Sequence, residues 1–213
     1  MHTIQPIDNP RTSLNEHERD DLLNRLLPTT RSGFGTPMER DDVEKHLIHV
    51  DRTYLLFAED RLVGFSSYDF HETSDGSVLY LSGIALDRSA HGRGLFAAVN
   101  ARALDEYDPQ YFVMRTQNPV IYRGVEKLVD TIYPGSGVSP APVLRIARHL
   151  AGAPMEDATH VVRGLYGTCL YDDVPLLQPT RRFFDECLRM DYARGDSVVI
   201  VGERKSTRGG PVQ

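Results

Sequence analysis

The chain has 213 residues, 40% of them hydrophobic and 25% charged, with a formal net charge of −6. That composition is ordinary for a globular protein with a real core, and the length suits one domain. The acidic balance argues against a nucleic-acid partner, which would want a concentrated Lys/Arg face. It is compatible with a cationic or neutral small substrate. Two cysteines, Cys169 and Cys187, lie apart with no clustered histidines, so neither a disulfide framework nor a metal site is expected. The first twenty residues carry no apolar core of a secretory signal, and no run approaches the ~18 apolar residues of a membrane span, so a cytoplasmic location and no membrane partner are expected.

In chain order, Ser13 to Leu27 reads as an amphipathic helix, with Ser13 as N-cap, Glu16 three positions on, and an apolar stripe of Leu22, Leu23, Leu26 and Leu27. "PTTRSGFGTP", Pro28 to Pro37, reads as a loop, and Glu39 to Val50 as a second helix. The β-rich runs "TYLLFAED" and "RLVGFSSYDF" predict a hairpin turning at Asp60-Arg61. "HETSDGS" reads as a loop before a third strand, Val78 to Leu86. A helix over Gly92 to Tyr107 and a strand over Tyr111 to Thr116 follow.

Pro119 to Thr131 predicts another helix, with proline in its first turn. "VLRIARHLAG" predicts a short helix ending in glycine. "HVVRGLYG" and "DSVVIVGERK" predict late strands around the helix "TRRFFDECLRM", and Ser206 to Gln213 a disordered tail. These elements make one mixed α/β domain over residues 1–205.

The most informative stretch is "LSGIALDRSAHGRGLFAAVN", Leu81 to Asn100, in which a strand runs through a short loop into a helix behind Gly92 and Gly94. The N-terminal turn of a helix offers unpaired N–H groups and the positive end of a dipole, which together bind anions. Glycine there lets the backbone approach a bulky phosphate, or simply makes a tight turn. The Walker A pattern fails because no Gly-Lys-Ser/Thr follows. Gly92, Gly94 and Ala97 fit the dinucleotide form G-x-G-x-x-A, but Asp87 to His91 separate them from the strand end, and the next strand ends in "RTQN" rather than an acid.

"IALDRSAHGRGLFAAVN" resembles the acyl-CoA-binding signature of the GCN5-related N-acetyltransferase (GNAT) superfamily, with His91 in the place of the Arg or Gln before the first glycine. The hairpin "YLLFAEDRLVGFSSYDF" is similar to that family's second and third strands, and "YFVMRTQNPVIYRGVEKL" to its fifth strand and following helix. The resemblance spans about Val43 to Leu128. It implies an α/β (α+β) fold with a mixed, mostly antiparallel sheet of about six to seven strands, flanked by helices and splayed between the fourth and fifth.

The same resemblance implies acetyl-CoA, or another acyl-CoA, as co-substrate and no metal. Backbone at Ile84, Ala85 and Leu86 would hold the pantetheine arm. His91, Gly92, Arg93, Gly94, Leu95 and Phe96 would hold the diphosphate, and Asn118 would contact the cofactor or cap its helix. Tyr122 is the candidate general acid. No single general base stands out: the fourth strand has Ser82 and Gly83 where relatives carry Glu, and Asp69, His71 and Glu72 are the other acids and bases nearby. "RSGFGTP" and "VVRGLYGTCLYDD" are expected walls for the acceptor, a small-molecule amine. The segment from Tyr133 to Pro179 would shape that pocket or a homodimer interface. A peptide amine as acceptor, an acyl-CoA-binding protein without catalysis and a nicotinamide-dependent oxidoreductase are the competing expectations.

Overall fold

The structure is a computed structural model that describes residues 2–36, 38–174 and 177–204. The predicted tail from Ser206 to Gln213 lies outside the described residues. Among the described residues eight strands form one sheet in the order β1-β2-β3-β4-β5-β8-β6, with β7 also on β8. The sheet is mostly antiparallel, and β4 and β5 are the parallel pair. By contact density the chain divides into two compact units, residues 1–70 with 80–102, and residues 71–79 with 103–213.

The first unit opens with β1 (His2–Asp8), which pairs antiparallel with β2 (Arg52–Ala58) along its whole length. The sequence reading missed β1 because it shows no apolar alternation: five of its seven side chains are exposed, and pairing with β2 holds it. A single turn, α1 (Pro10–Ser13), precedes α2 (Glu16–Phe34). The cap is Asn15, not Ser13. Its Oδ1 accepts the Glu18 N–H at 2.9 Å, and the Glu18 carboxylate accepts the Asn15 N–H at 2.8 Å, a reciprocal capping box.

The expected loop from Pro28 is helical as far as Phe34, and Gly35 ends it at φ 76°. Pro28 removes one hydrogen bond. Tertiary packing outweighs that loss. Leu22, Leu23 and Leu26 bury against Val43, Leu47 and Ile48 of α3 (Arg40–Ile48), Phe65 of β3 (Arg61–Thr73) and Ala85 of β4 (Gly76–Leu86). Each of the Leu, Val, Ile and Phe side chains contributes about 1.5–3 kcal/mol by leaving water.

The β2–β3 hairpin turns at Glu59 and Asp60, one residue earlier than predicted, with φ of 51° and 63°. Two successive left-handed residues make the turn that matches strand twist. The predicted loop "HETSDGS" is mostly strand: β3 reaches Thr73 and β4 starts at Gly76, with Thr73 Oγ1 donating to the Gly76 carbonyl at 2.7 Å. The unit closes with a 3₁₀ turn (Arg88–Ala90) and the start of α4 (Leu95–Tyr107).

In the second unit β5 (Tyr111–Thr116) pairs antiparallel with the buried β8 (Ser197–Glu203), Met114 opposite Ile200. Helix α5 (Pro119–Glu126) is shorter than predicted, and Thr131 belongs to a further strand, β6 (Thr131–Tyr133), which also pairs with β8. Helix α6 (Ala141–Leu150) matches its prediction apart from two residues at each end. The strand expected from His160 to Gly167 shrinks to β7 (Val161–Val162). The chain leaves the sheet at Arg163, whose guanidinium pairs with Glu156 and with the fully buried Asp196, both at 2.7 Å. The last helix starts as α7 (Thr180–Arg182) and widens into a π turn over Phe183–Cys187, marked by the Leu188 N–H bonding the Phe183 carbonyl at 3.0 Å. Among the described residues no helix is long and apolar enough to cross a membrane.

Candidate functional site: a glycine turn at the start of a helix

The first unit contains the segment that the sequence singles out, tied down at both ends. At its start the Asp87 N–H donates to the Val63 carbonyl at 2.8 Å, which anchors the chain as it leaves β4. The Asp87 carboxylate accepts the Ser89 N–H at 2.9 Å and the Ser89 hydroxyl, and Arg61 donates to Ser89 Oγ at 2.7 Å. The Ser89 hydroxyl, against the opposing effect of burial and with help from the Ser89 amide and Arg61, holds the Asp87 carboxyl below its ordinary range. His91 folds back so that its Nε2 lies 3.0 Å from the Leu86 carbonyl oxygen. Because a carbonyl only accepts, Nε2 carries the proton.

Gly92 and Gly94 follow with φ of 71° and 77°. A Cβ at either position would meet nothing within 4 Å, so the space in front of the turn is open. Left-handed residues alternating with ordinary ones turn successive N–H groups toward one side, the geometry of an anion-binding nest. The N–H groups of Leu95, Phe96 and Ala97 have no acceptor within α4, whose first bond runs from Ala98 to the Gly94 carbonyl at 3.0 Å. His91, Gly92, Arg93 and Gly94 are all exposed, so an anion could reach them, while Leu95 is buried and anchors the helix.

A buried polar chain holds the far end. Ser66 Oγ donates to the Tyr68 hydroxyl at 2.8 Å, that hydroxyl donates to Asn100 Oδ1 at 2.9 Å, and Asn100 Nδ2 donates to the Phe96 carbonyl at 2.7 Å. Ser66, Tyr68 and Asn100 are fully buried, so the chain fixes the first turn of α4 on β3. On β4 the predicted arm-binding residues differ in exposure: Ala85 is buried, whereas Ile84 and Leu86 are half-buried. His91 occupies one lone pair of the Leu86 carbonyl.

The second unit carries Asn118 and Tyr122. Asn118 caps α5, its Oδ1 accepting the Val120 N–H at 2.9 Å. The Tyr171 hydroxyl is in hydrogen-bonding contact with the Asn118 and Thr116 side chains. Tyr122 donates to the Pro134 carbonyl at 2.6 Å and packs against Phe183 and Phe184 at centroid distances of 5.4 and 5.8 Å. Burial, with a smaller effect of Glu126, pushes its pKa up to about 12. Its proton is therefore directed at Pro134.

The remaining sequence candidates for a base, Asp69, His71 and Glu72, all lie on β3. Asp69 accepts the Asp51 N–H at 3.3 Å, the His71 ring stands edge-on to His149 at 6.3 Å, and Glu72 is exposed. Of the expected acceptor walls, Arg31 to Phe34 lie in α2, and Pro37 lies outside the described residues. The segment after β7 is held by a residue that the sequence reading passed over. Gln117 accepts the Leu170 N–H at 2.8 Å and donates to the Thr168 carbonyl at 3.3 Å. No local pattern marks a single buried glutamine at a strand end. Among the described residues no group of three or more His, Cys, Asp or Glu side chains is placed to hold a metal.

No protein-family model matches the sequence, and no curated protein does. Solved structures do. The ribosomal-protein-S18-alanine N-acetyltransferase of Escherichia coli superposes with a TM-score of 0.55 at 11% identity, over 99% of each chain. A protein provisionally assigned as a phosphinothricin N-acetyltransferase superposes with a TM-score of 0.52 at 10% identity, over 96% of this chain and all of the other.

The chain has the GNAT fold. In that fold the glycine turn follows the fourth strand, as the sequence resemblance implied, and the strand that the sequence reading missed takes first place. At identities this low the likeness concerns architecture alone.

Proposed function

We propose that this GNAT-fold chain is an acyl-CoA-dependent N-acyltransferase. It moves an acetyl group from acetyl-CoA to a primary amine of a small molecule by direct attack in a ternary complex. The observation that carries the reading is the open double-glycine turn between β4 and α4, with both glycines left-handed and, behind them, N–H groups that have no acceptor within the helix. A diphosphate suits that turn, since its charge meets the helix dipole and its bulk needs the missing Cβ atoms. The arm of the cofactor would then lie along the backbone of Ile84 to Leu86. A net charge of −6 favours approach of a cationic amine. The reading does not rest on Tyr122, whose proton is engaged by Pro134.

Calorimetric titration with acetyl-CoA, beside NADH and NADPH, tests it. Saturable binding of acetyl-CoA, abolished by Gly94→Asp in a variant that still folds, is the expected result, followed by thiol release with an amine from a screen. Binding of a nicotinamide cofactor in place of acetyl-CoA, or no acetyl-CoA binding, would overturn it.

A further inference from the structure

Acyl transfer to an amine needs a group that takes a proton from nitrogen, and the β4 stretch from Tyr80 to Leu86 carries no carboxylate or imidazole. The structure brings one to it from another element. A Cβ built on Gly83 would lie 2.9 Å from His46 Cβ, 3.3 Å from His46 Cγ and 3.3 Å from Ser67 Oγ. The missing side chain at position 83 is thus what lets α3 lay an imidazole against the strand. Ser67 Oγ donates to the Gly83 carbonyl at 3.2 Å and holds the strand backbone there. Ser82, Gly83 and Ile84 are half-buried, whereas Leu81 and Ala85 on either side are buried. His46 is itself half-buried, between the buried Val43 and Leu47 on its helix. His46 therefore lies beside the one stretch of this strand end, Ser82 to Ile84, that is partly exposed on three successive residues.

We propose that His46 faces the acyl end of bound acyl-CoA and takes the proton from the acceptor amine. This rests on the cofactor reading above. With the diphosphate at Gly92 to Gly94 and the arm running back along Leu86 to Ile84, the thioester comes next to Gly83. There a protonated amine gives one proton to His46, and the neutral nitrogen attacks the thioester carbonyl. The C–N bond forms and the C–S bond breaks, its electron pair leaving on sulfur. Of the two protons that nitrogen loses overall, one ends on the sulfur and one in solvent. Imidazole is the side chain best suited to this exchange near neutrality.

Several charged side chains on the surrounding elements have partners of their own. On α3, Asp42 pairs with Lys45 at 3.8 Å and Glu44 with His49 at 3.9 Å. On α2, Asp20 pairs with Arg40 at 2.7 Å, and on β3, Asp69 accepts the Asp51 N–H. No local pattern marks His46, which lies 37 positions from Gly83 in the chain.

The test follows the ring Cε1–H signals of the eight histidines by NMR, with His46→Gln, or His46→Asn should the first not fold, identifying the signal. Saturation with acetyl-CoA should move the His46 signal, free CoA should move it to a different position, and adenosine 3′,5′-bisphosphate should leave it unmoved. His46→Gln should also keep acetyl-CoA affinity within about twofold while lowering thiol release to a screened amine by about 100-fold or more. An unmoved His46 signal at saturating acetyl-CoA would refute this assignment and leave the cofactor reading standing. Absence of acetyl-CoA binding to the wild-type chain would remove both.

Discussion

Gly33 offers a sharp check on the packing that shapes the end of β4, because two effects there have opposite signs. It lies in the last turn of α2, where alanine is ordinarily better than glycine by about 0.8–1.0 kcal/mol. A Cβ at this position would sit 2.2 Å from the Leu86 carbonyl oxygen and 3.2 Å from its carbon. That is about 1 Å inside ordinary carbon–oxygen contact of roughly 3.3 Å. The obstructing atom is backbone, bonded to His91 Nε2 at 3.0 Å, so no rotamer change relieves the clash. Against a backbone obstruction the upper part of the overpacking range applies, about 2–3 kcal/mol, which outweighs the helix gain and leaves Gly33→Ala destabilised by about 1–2 kcal/mol. In a chain of this size each kcal/mol lowers Tm by roughly 2–4 °C. Thermal and urea unfolding measure the effect directly, and acetyl-CoA affinity should fall along with stability because Leu86 moves. A variant as stable as the parent, or more so, would refute the close approach of α2 to β4.

Removing the hydroxyl of the buried Tyr68 with Tyr68→Phe strands Asn100 Oδ1 and Ser66 Oγ, at a cost of about 1–3 kcal/mol. Urea unfolding should show that loss, and calorimetry a weaker acetyl-CoA affinity, since the chain positions the first turn of α4. His160 is fully buried, with Nε2 2.8 Å from Ser139 Oγ and Nδ1 3.2 Å from the Val199 carbonyl, and burial lowers its pKa below 6.5. The unfolded chain therefore takes up this proton before the native chain does. The stability contributed by His160 is full above pH 6.5 and declines as pH falls from there to the native-state value. The unfolding midpoint should drop between pH 7.5 and 5.5 in the parent and stay nearly flat in His160→Gln, a window lying above the ordinary carboxylate range of about 4.

Local pattern carried much of this protein. The hairpin of β2 and β3, the strand β5, the short helix α6 and the glycine turn before α4 were legible because each depends on near neighbours in sequence. Apolar alternation marks a strand, proline and glycine mark helix ends, and two glycines one residue apart mark a backbone that must turn left-handed. The order of those elements, with the turn after the fourth strand, was enough to suggest the GNAT architecture that the structure shows.

What the sequence could not decide depended on distant partners. Polar β1 is a strand only because β2 supplies its hydrogen bonds. Helix α2 runs through Pro28 because Leu22, Leu23 and Leu26 are buried in a core completed by α3, β3 and β4. The cap at Asn15 is the local exception, since its partner Glu18 lies only three residues on and closes the reciprocal pair. The partner of the Tyr122 hydroxyl, the Pro134 carbonyl twelve residues on, is likewise set by the fold. His46 carries no motif at all; it meets β4 only because Gly83 leaves room for it. Hydrogen bonds and burial between residues far apart in the chain are set by packing, so they become readable only once the chain is folded.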